Sequence, residues 1–300
     1  MKKAIVTGGA GFIGSHICDA LLALGYEVHA IDDLRAGKRE RLAPAVLLHE
    51  LDLCRYETVA PLFVDADVVF HTAAMPRVPF SIEYPLETNE ANITATVNVL
   101  RAAERAGVRR VVYSASSSAY GEQATLPLRE DMPADPIHPY GVQKYVGELY
   151  ARAFFRVYGL QTVSLRYFNV YGPRLDPDGA YALVIGRFLK QRKEGKPLTI
   201  IGDGSQTRDF TNVGDVVRAN ILAATSDKVG KGEVINIGAG RNVSVLELAR
   251  MIGGPVEYLP PRPEAHDTLA DISRARELLG WEPEVRFEDG VIELKREFGL

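Results

Sequence analysis

The chain has 300 residues, 46% of them hydrophobic and 25% charged, enough apolar mass for one large soluble domain or two small ones with a real core. A net charge of −4 gives no general attraction to nucleic acid or to an acidic membrane surface, so any anionic ligand has to be held by local groups. The two cysteines, Cys18 and Cys54, have no metal-ligand spacing and make no disulfide framework. No apolar stretch approaches the roughly 20 residues that span a bilayer, and the opening apolar run is too short for a signal peptide, so the expectation is a cytoplasmic protein with no membrane partner.

Short β-branched runs alternate with longer amphipathic ones. Residues 2–8 (KKAIVTG) read as a strand, 14–25 (GSHICDALLALG) as a helix and 26–33 (YEVHAIDD) as a strand. Strand-like runs recur at 65–74, 108–116 and 161–170, with helices expected at about 88–106 and 140–158. Strands without clean polar alternation fit a sheet covered on both faces. The predicted fold is therefore α/β, a doubly wound parallel sheet of Rossmann type. After about residue 168 the chain turns to Gly-, Pro- and Asp-rich loops, with a further strand at 232–240 and a helix at SVLELARMIG. The expected division is a dinucleotide domain of residues 1–168 with 211–238, interleaved with a smaller substrate lobe of 169–210 with 239–300.

Gly8, Gly11 and Gly14 form a G-x-x-G-x-x-G array after the first strand and before the first helix. Glycines there allow a tight turn and close approach of backbone to a pyrophosphate, which the helix N-terminus attracts. The next strand ends in Asp32, about 20 residues on, where a carboxylate can accept the ribose hydroxyls of a dinucleotide. It would repel a 2′-phosphate, so NAD is expected rather than NADP. Asp32 and Asp33 could also be a plain strand-end turn, and Arg35, Lys38 and Arg39 could form a phosphate-holding basic loop.

Tyr140 and Lys144 stand four apart on one face of a predicted helix. A phenol is a poor base at neutral pH, with a pKa of about 10; a nearby ammonium and the positive ring of NAD favour its ionised form. Upstream, the run SASSSAYG follows a strand, at the end where ligands bind in open α/β sheets. Ser116 there can donate to a substrate oxygen, beside a sugar-like alcohol. The other serines could equally be a polar loop.

Taken together, TGGAGFIG, Asp32, LDL (51–53), HTAA (71–74), NITATVNVL (92–100), SASSSAYG, YGVQK and LRYFNVYGPR (165–174) resemble the extended short-chain dehydrogenase/reductase family over nearly the whole chain. Within it, PYGVQKYVGELYA, DPDGAYALVI and GDGSQTRDF look most like the UDP-sugar 4-epimerases. The resemblance implies catalytic roles for Ser116, Tyr140 and Lys144. It implies NAD contacts at Gly8, Gly11, Phe12, Ile13, Gly14, Asp32, Asp52, Leu53, Ala73, Ala74, Asn92, Tyr140, Lys144 and Tyr167. It places a UDP-sugar substrate against Ser116, Ser117, Asn169, Arg208, Arg262 and Thr268, although RPEAHDTLADIS is one residue shorter than the common pattern. A homodimer with no metal is the assembly it implies. Ala95 and Gln143 depart from the usual glycine and Ser/Thr.

Sugar-nucleotide dehydratases of this family carry an acid directly after the residue that matches Ser116. This chain has Ser117 and Ser118, and a hydroxyl with an untuned pKa is a poor general acid. A UDP-hexose 4-epimerase acting on UDP-glucose and UDP-galactose, with the N-acetylated pair possible, is the expected activity. The alternatives are a UDP-glucuronate 4-epimerase, a nucleotide-sugar reductase or dehydratase, and more remotely a non-catalytic NAD sensor.

Overall fold

The computed structural model describes residues 1–76, 78–177, 184–260 and 266–300. Strands β1 (Lys3–Thr7), β2 (Glu27–Asp32), β3 (Leu47–Glu50), β4 (Ala66–His71), β5 (Arg110–Ser116) and β6 (Gln161–Tyr167) join the Lys231–Ile237 strand in a seven-stranded sheet. Its order runs Lys231–Ile237, β6, β5, β4, β1, β2, β3, and every neighbouring pair is parallel.

The apolar runs are unbroken because both sheet faces are covered. On β1, Ala4 and Val6 enter one core with Ile17 and Leu21 of the Phe12–Ala23 helix and Val216 and Ala219 of the Val213–Thr225 helix. Ile5 points the other way, into a core with Val99 and Ala103 of the Ala95–Arg105 helix and Phe154 of the Pro139–Tyr158 helix. A third cluster lies beyond the sheet. Tyr171, Phe188, Ile200, Phe210, Leu248 and Phe287 belong to it, and Phe12 joins it from the first helix. Short strand pairs frame this region: Leu198–Ile201 with Val256–Leu259, and Thr207–Asp209 with Asn242–Ser244.

Some elements differ from expectation. The first helix begins at Phe12, two residues before the expected start, because the glycine turn itself feeds the first helical turn. The helix expected at 88–106 is a Pro85–Asn89 helix, a π-helical Glu90–Thr94 turn and an Ala95–Arg105 helix. β3, an edge strand of four exposed or half-buried residues, Leu47–Glu50, is not among the expected strands.

The strand order reverses between β1 and β4, so their carboxyl ends open a crevice at that point. The Pro139–Tyr158 helix closes over one side, and a glycine sets its distance. A Cβ on Gly147 would lie 2.2 Å from the Tyr113 hydroxyl and 2.4 Å from the ring carbon bearing it, and Tyr113 is fully buried on β5. Overfilling such a contact costs about 1–3 kcal/mol. Gly147→Ala is expected to lower the thermal unfolding midpoint and to push this helix off β5; calorimetry of the variant against wild type checks it, and an unchanged midpoint would refute the contact's role.

Candidate active site

The crevice is a cleft of about 1160 Å³. Its floor is the glycine turn. Gly8 has φ +67°, and a Cβ there would come within 2.7 Å of the Ala73 backbone, so the loops after β1 and β4 nearly touch. A Cβ on Gly14 would meet the Gly8 carbonyl at 2.2 Å. No side chain caps the helix that starts at Phe12, so its first N–H groups face the cleft. Gly8, Gly11, Phe12, Ile13 and Gly14 all line it, with Ala73 and Ala74 opposite. A cradle whose walls leave no room for a Cβ and whose end presents free N–H groups fits a pyrophosphate.

Asp32 ends β2 at the cleft wall. Its Oδ2 accepts the Ala10 N–H at 3.0 Å and its Oδ1 the Leu34 N–H at 2.9 Å. Burial raises its pKa, and these bonds oppose the rise. The turn reading and the ribose reading are thus compatible: two backbone bonds aim the carboxylate. The basic loop after it is matched by acids. Arg35 pairs with Asp33 and, at 3.8 Å, with Asp52; Lys38 meets Asp176 at 2.9 Å; Arg39 meets Glu50 at 3.3 Å. Asp52 and Leu53 also line the cleft.

Asn92 does not line the cleft. Its Oδ1 accepts the Met75 N–H at 2.6 Å, while its Nδ2 donates to the Met75 carbonyl at 3.0 Å and to Gln143 Oε1 at 2.7 Å. Gln143 in turn donates to Thr88 at 2.9 Å. These bonds make a clamp: the π-helical turn aims Asn92 at the wall segment and ties it to the Pro139–Tyr158 helix. Behind it, the Thr96 hydroxyl donates to the Asn92 carbonyl, so His71 Nε2 donates to Thr96 and His71 Nδ1 accepts from Thr7. Burial lowers the His71 pKa to about 3, so the ring is neutral.

His138 caps the Pro139–Tyr158 helix through Nδ1, which accepts the Gly141 N–H at 3.1 Å, and Pro139 fills the first helical position. This start fixes Tyr140, whose N–H donates to Ser81. Tyr140, Lys144, Ser116 and Ser117 line the cleft together. The Ser116 Oγ accepts the Ser118 N–H at 3.1 Å, which leaves its proton free to donate. Ser114 is different: its hydroxyl donates to Tyr167, which donates to Asn220 at 2.9 Å. Tyr167 itself lines the cleft.

The four-residue spacing predicts an ammonium that favours the phenolate. In the structure Lys144 Nζ donates to the Ser114 carbonyl at 2.8 Å and lies 5.1 Å from the centre of the Tyr113 ring. Burial pushes the Tyr140 phenol up to about 12, and Ser116 is the group that pulls it back. Burial also pulls Lys144 down to about 7. The ammonium is aimed at β5, and the phenol is tuned by its serine neighbour.

At the far end Asn169, Arg208 and Thr268 line the cleft. Asn169 has φ +25° and donates to the Asp209 carbonyl at 3.1 Å, and the Thr268 hydroxyl accepts the Asp209 N–H at 3.2 Å. Asp209 is not a surface partner for Arg208. It is fully buried and accepts the N–H groups of Ala239, Gly240 and Ala270. Arg208 Nη1 donates to the Thr207 and His266 carbonyls. Arg262 lies outside the described residues, as do residues 178–183 of the DPDGAYALVI stretch. His138 and Arg187 line the cleft without having been singled out in the sequence. The His-Pro pair before Tyr140 was a helix-start signal that could have flagged the first; Arg187 follows no motif.

The profile of the NAD dependent epimerase/dehydratase family matches residues 4–238. A UDP-glucose 4-epimerase of Thermotoga maritima, solved with UDP-glucose, is 39% identical with a TM-score of 0.94, covering 99% of this chain and 98% of that one. A UDP-N-acetylglucosamine 4-epimerase of Methanobrevibacter ruminantium M1, in complex with UDP-N-acetylmuramic acid, is 38% identical with a TM-score of 0.93 and coverages of 99% and 98%. A UDP-glucuronate 4-epimerase of Thermodesulfobacterium geofontis is 36% identical over 312 residues, 97% of this chain and 94% of its own. With a glycine cradle, a strand-end carboxylate and a Tyr-x-x-x-Lys helix in one crevice, and likeness of this extent, the chain belongs to the NAD-dependent epimerase/dehydratase family.

Proposed function

We propose that this chain is a UDP-hexose 4-epimerase, an isomerase that inverts C4 of UDP-glucose or UDP-galactose, and of the N-acetylated pair, with NAD held in the cleft. The observation that carries the reading is the meeting of Tyr140, Ser116 and Lys144 in the crevice floored by the glycine cradle and walled by Asp32. NAD held in this cleft would supply reversible hydride exchange at the sugar C4. Tyr140 exchanges the proton of the 4-hydroxyl, and Ser116 donates to the same oxygen and orients the transfer. Lys144 supplies positive charge where the phenol must ionise. Asp32, held by two backbone bonds, receives the adenosine ribose and disfavours a 2′-phosphate.

The residues 169–210 with 239–300 form the substrate lobe in this reading. Arg208, Asn169 and Arg262 hold the diphosphate, and Thr268 borders the sugar. The anchored diphosphate lets the 4-keto sugar turn over without escaping. Ser117 and Ser118 offer no acid for elimination of water, which sets dehydration aside. The protein assembles as a homodimer through the Pro139–Tyr158 helix: Val142, Leu149, Tyr150 and Val157 are exposed on one stripe, opposite the buried Tyr140, Lys144, Gly147 and Glu148.

Incubation with UDP-galactose, UDP-N-acetylglucosamine and UDP-glucuronate, followed by separation of products, should yield the C4 epimer of at least the first without added cofactor; three unaltered substrates with a fully NAD-loaded protein would overturn the reading. Tyr140→Phe should lower kcat by about 10²-fold or more and keep its NAD content, measured by absorbance after denaturation. For the dimer, Leu149→Arg should convert the species seen in sedimentation velocity from dimer to monomer.

A further inference from the structure

Glu148 lies one helical turn beyond Lys144 on the same face of the Pro139–Tyr158 helix, and both are buried. Its carboxylate makes a two-pronged ion pair with Arg166 of β6: Nε to Oε1 at 2.9 Å and Nη2 to Oε2 at 2.7 Å. The side chains are 1% and 4% exposed. The Arg166 guanidinium lies 4.4 Å over the ring of Tyr120, which follows the serine run, and Tyr120 donates to Asn236 at 2.7 Å. Neither Glu148 nor Arg166 is among the residues that line the cleft.

A buried ion pair of this kind adds little stability over well-packed apolar side chains, because desolvation offsets the attraction. Its charges do something that apolar groups cannot: one carboxylate stands between two cations, Lys144 on its own helix and Arg166 across on the sheet. We propose that Glu148 is a positioning residue for the reaction set out above: held by Arg166, its carboxylate keeps the buried Lys144 protonated while the phenol of Tyr140 exchanges its proton.

The surroundings of Lys144 leave this role to Glu148. His71 of β4 is neutral, Tyr113 of β5 and Tyr140 of the same helix have their phenol pKa values raised by burial, and none supplies negative charge near neutral pH. Burial drives Lys144 down to about 7, and Glu148 is the group that pushes it back up. Burial raises the Glu148 pKa, and Arg166, which grips both carboxylate oxygens, together with Arg152 and Lys144 itself, opposes that rise and favours the ionised form. The sign follows. With the carboxylate gone, Arg166 remains as an unopposed cation and Lys144 releases its proton at lower pH. The active form, with an ammonium at Lys144, then disappears sooner as pH rises.

The test follows Lys144 directly. In protein labelled with 13C-lysine, the Lys144 signal, identified by its loss in Lys144→Met, gives the midpoint of its titration. Glu148→Gln should lower that midpoint by about one pH unit. The alkaline limb of the kcat profile should move down with it while KM for the UDP-sugar stays as in wild type. If Glu148→Gln does not fold, Glu148→Gln/Arg166→Met, which removes both members of the buried ion pair, is read for the same downward direction of the Lys144 midpoint. A midpoint equal to or above that of wild type overturns the proposal, whatever happens to the rate. Failure of the wild type to epimerise any UDP-sugar would instead count against the reaction, and the titration would still decide the role of Glu148.

Discussion

An ammonium held between a sheet and a helix is the constraint around which this crevice is arranged. Lys144 is 4% exposed, and a cation removed from water costs on the order of several kcal/mol unless other groups replace its hydration. The replacements come from different elements: the Ser114 carbonyl and the Tyr113 ring from β5, and the Glu148 carboxylate from the next helical turn. All of them require the helix to lie close against the strand. Gly147 allows that approach because no Cβ stands between the helix and Tyr113. Packing and electrostatics at this point are one requirement. A side chain at 147 would move the charge away from the groups that make its burial tolerable.

What was legible in the sequence was local. The glycine array, the strand end at Asp32 and the i, i+4 spacing of Tyr140 and Lys144 are short-range signals, and each has a mechanism that acts within one turn or one strand. The parallel sheet was legible for a related reason: strands covered on both faces read as continuous apolar runs. Less visible were polar residues whose partners lie far along the chain. Asn92 reaches Met75 and Gln143, Asp209 collects backbone N–H groups from 239, 240 and 270, and Arg166 answers Glu148. No periodicity marks such residues, since each sits in an apolar or loop context with no local partner. The serine run shows the same limit at close range. Ser114 belongs to a buried chain with Tyr167 and Asn220, while Ser116 and Ser117 face the cleft, and only the three-dimensional fold separates them.

Polar groups also fix the cleft lining at both of its ends. Around the glycine turn, the wall residues are fixed by backbone hydrogen bonds: Asp32 by Ala10 and Leu34, the Met75 segment by Asn92, and the loop after β4 by Thr72, whose hydroxyl donates to the Thr7 carbonyl at 2.7 Å. At the other end the lining is of hydroxyls and a guanidinium, and these too are tied to backbone: Ser116 accepts the Ser118 N–H, Thr268 accepts the Asp209 N–H, and Arg208 donates to the Thr207 and His266 carbonyls. A lining fixed at both ends suits the proposed reaction. A dinucleotide that lends and recovers a hydride within one turnover has to stay in register, whereas the sugar has to present first one face and then the other.

Hydroxyls at 117 and 118 have a consequence for that turnover. A carboxyl group beside Ser116 would stand ready to take a proton from a carbon next to the oxidised C4, and the 4-keto sugar would then leave the reversible path by losing water. A serine hydroxyl is both donor and acceptor and can bond a sugar oxygen from either face, but it has no tuned proton affinity with which to pull a carbon-bound proton. With such neighbours the 4-keto sugar has one chemical exit, return of hydride and proton. Which face receives them is decided by rotation about the bond to the anchored diphosphate. Inversion without side reaction then depends as much on the acid that is missing beside Ser116 as on the phenol and the amine that are present.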